Sequence, residues 1–306
     1  MQKLCFLFNV FIGFSSLLLH FAFAANPSDS TNIQKIRMFD GGESNAGKFI
    51  DATAIDLDNA GNIFIVDRAK HRLAKFSPNG YFISEIGGFG DGTEKFDDPR
   101  DVSAFATVDV FVADFNNNRV VRFDRNLNFL NSLAIELEPP FLFEQIKSVS
   151  VSSQYDLFVL EGVTNRIIKF TRFSNLSEVF GGLDENYGQL LAPHQICLQG
   201  SQKLYVSDPG QEAIVVFDYL GNYLTQIKHP EMIKPAGIYW SADNQLYVID
   251  EDSNQLFIFS KSLKFIKKIL LDPYLKNAVD VAIAYRIDDK SKHIYILTPE
   301  SCTILR

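Results

Sequence analysis

Cysteine, tryptophan and cationic side chains are all scarce in this 306-residue chain. There are three cysteines and one tryptophan. Three thiols build no disulfide framework, and no CxxC pair offers a metal clip. Cys5 falls in an N-terminal apolar stretch, which leaves Cys197 and Cys302 as free thiols expected to lie mostly buried. Lys and Arg total 29 against 37 Asp and Glu, a formal charge of −8. A protein that binds nucleic acid needs a basic surface to displace phosphate counterions, so DNA and RNA are poor partners. The nucleophile elbow G-x-S-x-G, the zinc motif H-E-x-x-H and the P-loop are absent, which removes the commonest hydrolase and nucleotide signatures. Beyond the first 25 residues no apolar run is long enough to span a bilayer.

That first stretch reads as an export signal. One cation, Lys3, precedes the apolar run Leu4 to Phe23, and Ala22-Phe23-Ala24 supplies the small residues that a signal peptidase accepts. The expectation is a signal peptide over 1–24, a mature domain over 25–306, and a secreted or periplasmic location. The rival is an uncleaved anchor, against which Asn9, His20 and the A-x-A site weigh.

What the chain has in excess is phenylalanine and tyrosine, 28 and 11. Many of them recur with a fixed period. Ile63-Phe64-Ile65-Val66-Asp67 is repeated as Val110 to Asp114, Leu157 to Glu161, Leu204 to Asp208, Leu246 to Asp250 and Ile294 to Thr298. Each reads aliphatic, aromatic, aliphatic, variable, then usually acidic. The acidic positions are 47, 47, 47 and 42 residues apart, with 48 more to Thr298. Nine residues after each acid comes a second landmark: Phe76, Phe123, Phe170, Phe217 and Phe259. With a turn after that Phe and a strand on either side, each period holds four short strands, the size of a propeller blade. The C-terminal Thr303-Ile304-Leu305 matches a third strand and lacks a fourth. The segment 33–39 resembles the fourth strand of the first period, Phe82 to Gly87. The expected fold is therefore all-β: a six-bladed β-propeller of four-stranded antiparallel blades, closed by an N-terminal strand at about 33–39 that completes the C-terminal blade. The repeating aromatics are expected to pack between blades.

The segment Val110-Phe111-Val112-Ala113-Asp114-Phe115-Asn116-Asn117-Asn118-Arg119-Val120 resembles an NHL repeat. The resemblance covers nearly all of the mature chain, weakening in the last three repeats, where Ala213, Gln255 and Thr303 replace the arginine. It gives a structural duty to Asp67, Arg72, Asp114, Asn117, Arg119, Glu161, Arg166, Asp208 and Asp250. The acids should accept N–H groups of the turn that follows them, and the arginine five residues on should fold back onto its acid.

Chemistry is expected at the channel mouth, where the entry loops of the first strands share a face with those turns. Aligned ring positions give Arg100, Lys147 and His194 from consecutive repeats, with Asp101, Gln195 and Asp280 beside them. The three cations would form an arc suited to an anionic ligand or an acidic peptide terminus. The competing reading pairs Arg100 and Lys147 with Asp101 and other rim carboxylates. The resemblance also reaches peptidyl-hydroxyglycine lyases, whose ring histidines hold zinc. A catalytic zinc normally has three protein ligands, and His194 alone matches here. A gluconolactonase-like calcium site would draw on Asp101, Gln195 and Asp280. The leading expectation is a monomeric, non-catalytic binding propeller for a protein, peptide or small anion. No cofactor is expected, and calcium or zinc enters only under the enzyme alternative.

Overall fold

The computed structural model describes residues 34–104, 108–137, 142–183, 186–271, 275–286 and 290–306. Residues 1–33, and with them the expected export signal, lie outside the described residues. Among the described residues no helix is long and apolar enough to cross a membrane.

The strands form six four-stranded antiparallel sheets, each built from consecutive strands except the last. The inner strands are Ala52–Leu57, Pro99–Ser103, Ser148–Val151, Gln195–Gln199, Pro235–Trp240 and Asp280–Tyr285. They touch in chain order and the sixth returns to the first, so the sheets stand in a ring as the blades of a β-propeller. In each blade the middle of the second strand is apolar, and Ile63–Asp67 and Asp109–Asp114 are buried at every position, their acids included. A sheet covered on both faces loses the polar alternation of a half-exposed one. The outer strands regain it, as Tyr223–Ile227 and Phe265–Leu270 show.

The last sheet confirms the closure expected from the sequence. Strand Lys35–Phe39 pairs antiparallel with Ser301–Leu305, Phe39 opposite Cys302. Gln34 and Arg306 add a reciprocal pair of backbone hydrogen bonds at 3.0 and 2.9 Å. Cys302 is buried and Cys197 half-buried, and both are free thiols.

The aromatic excess sits between the blades. All eleven repeating rings are buried, with at most 1% of their surface exposed. The second-strand ring of one blade shares a cluster with the third-strand Phe of the next: Phe64 with Phe123, Phe111 with Phe170, Phe158 with Phe217, and Tyr205 with Phe259. The N-terminal strand joins this scheme at the seam. Phe39 packs at a tilt on Phe76 of the first blade, ring centres 4.7 Å apart, as Phe180 packs on Phe217 at 5.0 Å. A glycine in the following turn makes room for each ring. A Cβ on Gly80 would lie 2.5 Å from Phe39, and one on Gly221 would lie 2.5 Å from Phe180. The two seams are thus built alike.

Phe39→Ala should therefore destabilise the fold as much as Phe180→Ala, each by about 3–5 kcal/mol as a large buried ring lost from a packed seam. Denaturant melts of both variants check this. A near-neutral Phe39→Ala beside a damaging Phe180→Ala would show that the N-terminal strand is dispensable.

Candidate functional site

The repeated acids clasp the loops that enter the channel. Asp67 accepts the backbone N–H of Asp51 and Asp114 that of Asp97. Asp208 accepts from Leu191 and Ala192, and Asp250 from Ile233 and Lys234. These donors lie in the loop before the inner strand, which corrects the expectation of a turn confined to the residues after the acid. The reason is topological: the second strand ends where the inner strand begins, so a buried carboxylate there meets the N–H groups of the incoming loop. Only part of the set uses the following turn, Glu161 through Val163 and Thr164, and Asp250 through Ser253.

Two of the arginines fold back onto their acids. Arg72 pairs with Asp67 at 3.2 Å and also reaches Glu85, Ser44 and the carbonyl of Gly47. Arg119 pairs with Asp114 at 2.7 Å, and Asn117 donates to the same oxygen at 2.8 Å. In the third blade the Glu161 N–H donates to the Arg166 carbonyl at 2.9 Å. Where the arginine is lost in the fourth blade, Gln211 donates to Asp208 at 2.7 Å.

Three of the six predicted mouth residues lie deeper than the rim. Asp101, Gln195 and Asp280 are buried on the axis. Asp280 accepts the Ile55 N–H at 2.9 Å, Asp101 that of Val149 at 2.9 Å, Ser148 that of Ile196 at 3.0 Å, and Gln195 that of Ile238 at 2.6 Å. In each case the acceptor belongs to one blade and the donor to the inner strand of the next. The Ser148 hydroxyl donates to Asp101, and the Gln195 amide donates to Asp101 at 3.4 Å and to Asp280 at 3.1 Å. Between the fifth and sixth blades the girdle has no side chain. A Cβ on Gly237 would meet the Asp280 Cα at 2.4 Å and the Val279 carbonyl at 2.6 Å, so the backbones themselves close the gap.

This arrangement argues against a cation held by that trio. The Ile238 N–H fixes the Gln195 carbonyl oxygen, which turns the amide N–H₂ towards both carboxyls. A donor therefore occupies the place where an oxygen cage needs acceptors. Among the described residues no group of three His, Cys, Asp or Glu side chains is placed to hold a metal ion.

Above the girdle lies a mouth cavity of about 310 Å³, lined among others by Arg68, Arg100, Lys147, His194 and Glu251, with Asp101 and Gln195 lining it too. Arg100 is spent. Its guanidinium chelates Asp98 at 3.0 and 2.6 Å and lies 4.2 Å from the centre of the Phe115 ring. Arg68 is held by Asp51, and Glu251 by Lys234 at 2.7 Å. Lys147 differs. Its ammonium reaches the Asn165 side-chain oxygen at 3.1 Å and makes no ion pair with a described residue. Burial holds its pKa below the ordinary lysine value, opposed by Glu161 and Asp208 and assisted by Arg100. The His194 imidazole hydrogen-bonds no described residue and is open to solvent on its cavity side. The surrounding wall still strips enough water from it, with Lys147, Lys234 and Arg100 nearby, to hold its pKa below the usual range against Glu251. The competing reading thus holds for Arg100, with Asp98 rather than Asp101 as its partner, while Lys147 and His194 keep free donor capacity.

No family model matches the chain, and no curated protein matches it. Among solved structures it is similar to a streptogramin B lyase, with a TM-score of 0.59 at 14% identity over 83% of this chain and 78% of that one. It is also similar to virginiamycin B lyase from Staphylococcus aureus, with a TM-score of 0.60 at 11% identity over 89% and 99%. A chain of a nidogen–laminin complex gives 0.57 at 10% identity over 72% and 80%. At these identities the likeness shows the fold, a six-bladed propeller, and no more.

Burial pushes the Asp101 carboxyl up to about 6 against the donors from Ser148, Val149, Val102 and Gln195, and pushes Asp280 well above the carboxylate range, with Asp101 adding repulsion. A carboxyl whose folded pKa is raised favours folding while protonated, and that contribution is lost as pH climbs through the folded value. Asp101→Asn removes the titration. The difference in melting temperature between wild type and variant should therefore move in the variant's favour from about pH 5 to about pH 7. A pH-independent difference would show that Asp101 does not titrate there.

Proposed function

We propose that this chain is an exported binding propeller whose mouth cavity captures the carboxylate end of a ligand, such as a peptide C-terminus, on Lys147 and His194. One observation carries the reading: the half-buried Lys147 ammonium faces the cavity with an amide oxygen as its hydrogen-bonding partner and no carboxylate in contact. A partly desolvated cation gains from an anion that completes its shell, and charge-assisted hydrogen bonds are the stronger kind. His194 adds a directional donor beside it. The neighbouring cations are already neutralised, so they set the cavity's shape more than its charge. The lyase names of two structural neighbours suggest an enzyme instead. Against that, His194 is the lone imidazole among the described residues lining the cavity, and the Asp101–Gln195–Asp280 trio presents a donor where a metal would sit.

Short peptides with a free C-terminal carboxylate should bind to the purified protein, and their C-terminal amides should not. Lys147→Glu should weaken binding by at least about tenfold, while Arg100→Gln, whose cation is already spent on Asp98, should weaken it less. Titration calorimetry reads both. Wild-type affinity in Lys147→Glu would overturn the reading, and a stoichiometric metal lost in His194→Ala would turn it towards the enzyme.

A further inference from the structure

Beside Lys147 and His194 stands an apolar residue that hydrogen bonding fixes in place. Asn165 makes the link. Its side-chain oxygen accepts the Lys147 ammonium at 3.1 Å, and its amide nitrogen donates to the Leu191 carbonyl at 2.9 Å. Leu191 is held at its own N–H too, which donates to Asp208 at 2.8 Å, and the Ala192 N–H donates to the same carboxylate at 2.9 Å. A Cβ on Gly210 would lie 3.0 Å from the Leu191 Cβ, so the turn of the fourth blade packs directly against the residue. The backbone is clasped, yet the Leu191 residue is 48% exposed. The turn that carries Asn165 also closes on the lysine's stem, where a Cβ on Gly162 would lie 3.1 Å from the Lys147 Cε. Val163, in the same turn, is 46% exposed.

Single exposed aliphatics are ordinary on a protein surface. Leu191 is set apart by its register. The position whose N–H the repeated acid clasps is Asp97 in the second blade, Leu191 in the fourth and Ile233 in the fifth. The entry face thus changes from acidic to apolar across the mouth, and an anionic ligand is repelled on the Asp97 side. Inside the cavity the apolar lining residues are Ala52, Pro193 and Val279, none of them large. A bulky apolar group on the ligand therefore finds its contact at the rim. Resting on the carboxylate reading of the mouth, we propose that Leu191 is a specificity residue: the ligand's terminal residue carries an apolar side chain, aliphatic or aromatic, that lies on Leu191 and is flanked by Val163. A C-terminal side chain branches one carbon from its carboxyl, and the Leu191 backbone is one amide group from the Lys147 ammonium. Both contacts thus fall within one residue of the ligand.

Acetylated peptides Gly-Ser-Ala-Leu and Gly-Ser-Ala-Gly with free carboxylates test this by titration calorimetry, their C-terminal amides serving as controls. The leucine peptide should bind wild type about fivefold to tenfold more tightly than the glycine peptide, the scale of a partly buried aliphatic side chain. Leu191→Ser should narrow that ratio to about twofold or less, and Leu191→Met, which keeps an apolar side chain there, should preserve it. Equal affinities of the two acids in wild type overturn the inference and leave carboxylate capture standing. A ratio that persists in Leu191→Ser assigns the preference to other residues and overturns it as well. Amides that bind as tightly as the acids, or acids that do not bind at all, overturn both readings. A ratio taken within one protein is insensitive to its stability, and the wild-type comparison decides even where a variant does not fold.

Discussion

Every blade of this propeller has an inner strand that is also a sheet edge, and six such edges converge on one axis. An edge strand presents backbone N–H groups with no ladder partner, and buried N–H groups must be satisfied. Here a side chain of the preceding blade satisfies them. Asp280 serves Ile55, Asp56 serves Ala104, Asp101 serves Val149, Ser103 serves Val151, Ser148 serves Ile196 and Gln195 serves Ile238. The rest of the structure depends on this constraint. It explains why carboxyls sit deep in an apolar ring, why their pKa values rise, and why Gly237 stands where two backbones must meet without a side chain.

The ring also has two halves that solve one packing problem differently. In the first three blades the second-strand Phe faces a cation across the sheet: Phe64 with Lys75, Phe111 with Arg122, Phe158 with Lys169. In the last three a Tyr faces an aliphatic residue: Tyr205 with Val216, Tyr247 with Ile258, Tyr295 with Ile304. The polar tip has moved from one strand to its neighbour. It can still dock in the same place. Lys75 donates to the Arg125 carbonyl, Lys169 to that of Tyr219 and Tyr295 to that of Pro78, each in the turn after a third strand of the next blade. An ammonium lying over a ring and a phenol each hold an apolar body between blades and carry a donor out to the rim.

Much of this was legible before any coordinates. The aromatic-acidic repeat gave the blade count, and the unmatched strand at each end gave the closure, because strand pairing and packing repeat with the sequence. The girdle residues were legible as a position but not as a function. Asp101, Gln195 and Asp280 aligned correctly on the axis, yet a polar residue facing a channel looks the same in sequence whether it meets solvent or a neighbour's backbone. The Asp98 partner of Arg100 was hidden for a related reason. Local ion pairs depend on a loop conformation, here with Asp98 at φ +56°, that has no periodic signature.

The girdle finally limits where function can reside. Its side chains are committed to inter-blade hydrogen bonds, and removing one exposes an N–H on the axis, so the centre of the channel is not free to change its chemistry. Of the groups lining the mouth, Lys147 and His194 lie outside these inter-blade bonds. Both keep donor capacity that hydrogen bonding to the described residues does not exhaust. A fold does not define an activity, but it does define which positions can carry one without unpicking the ring. In this propeller such positions lie at the mouth, among the entry loops that carry Lys147 and His194.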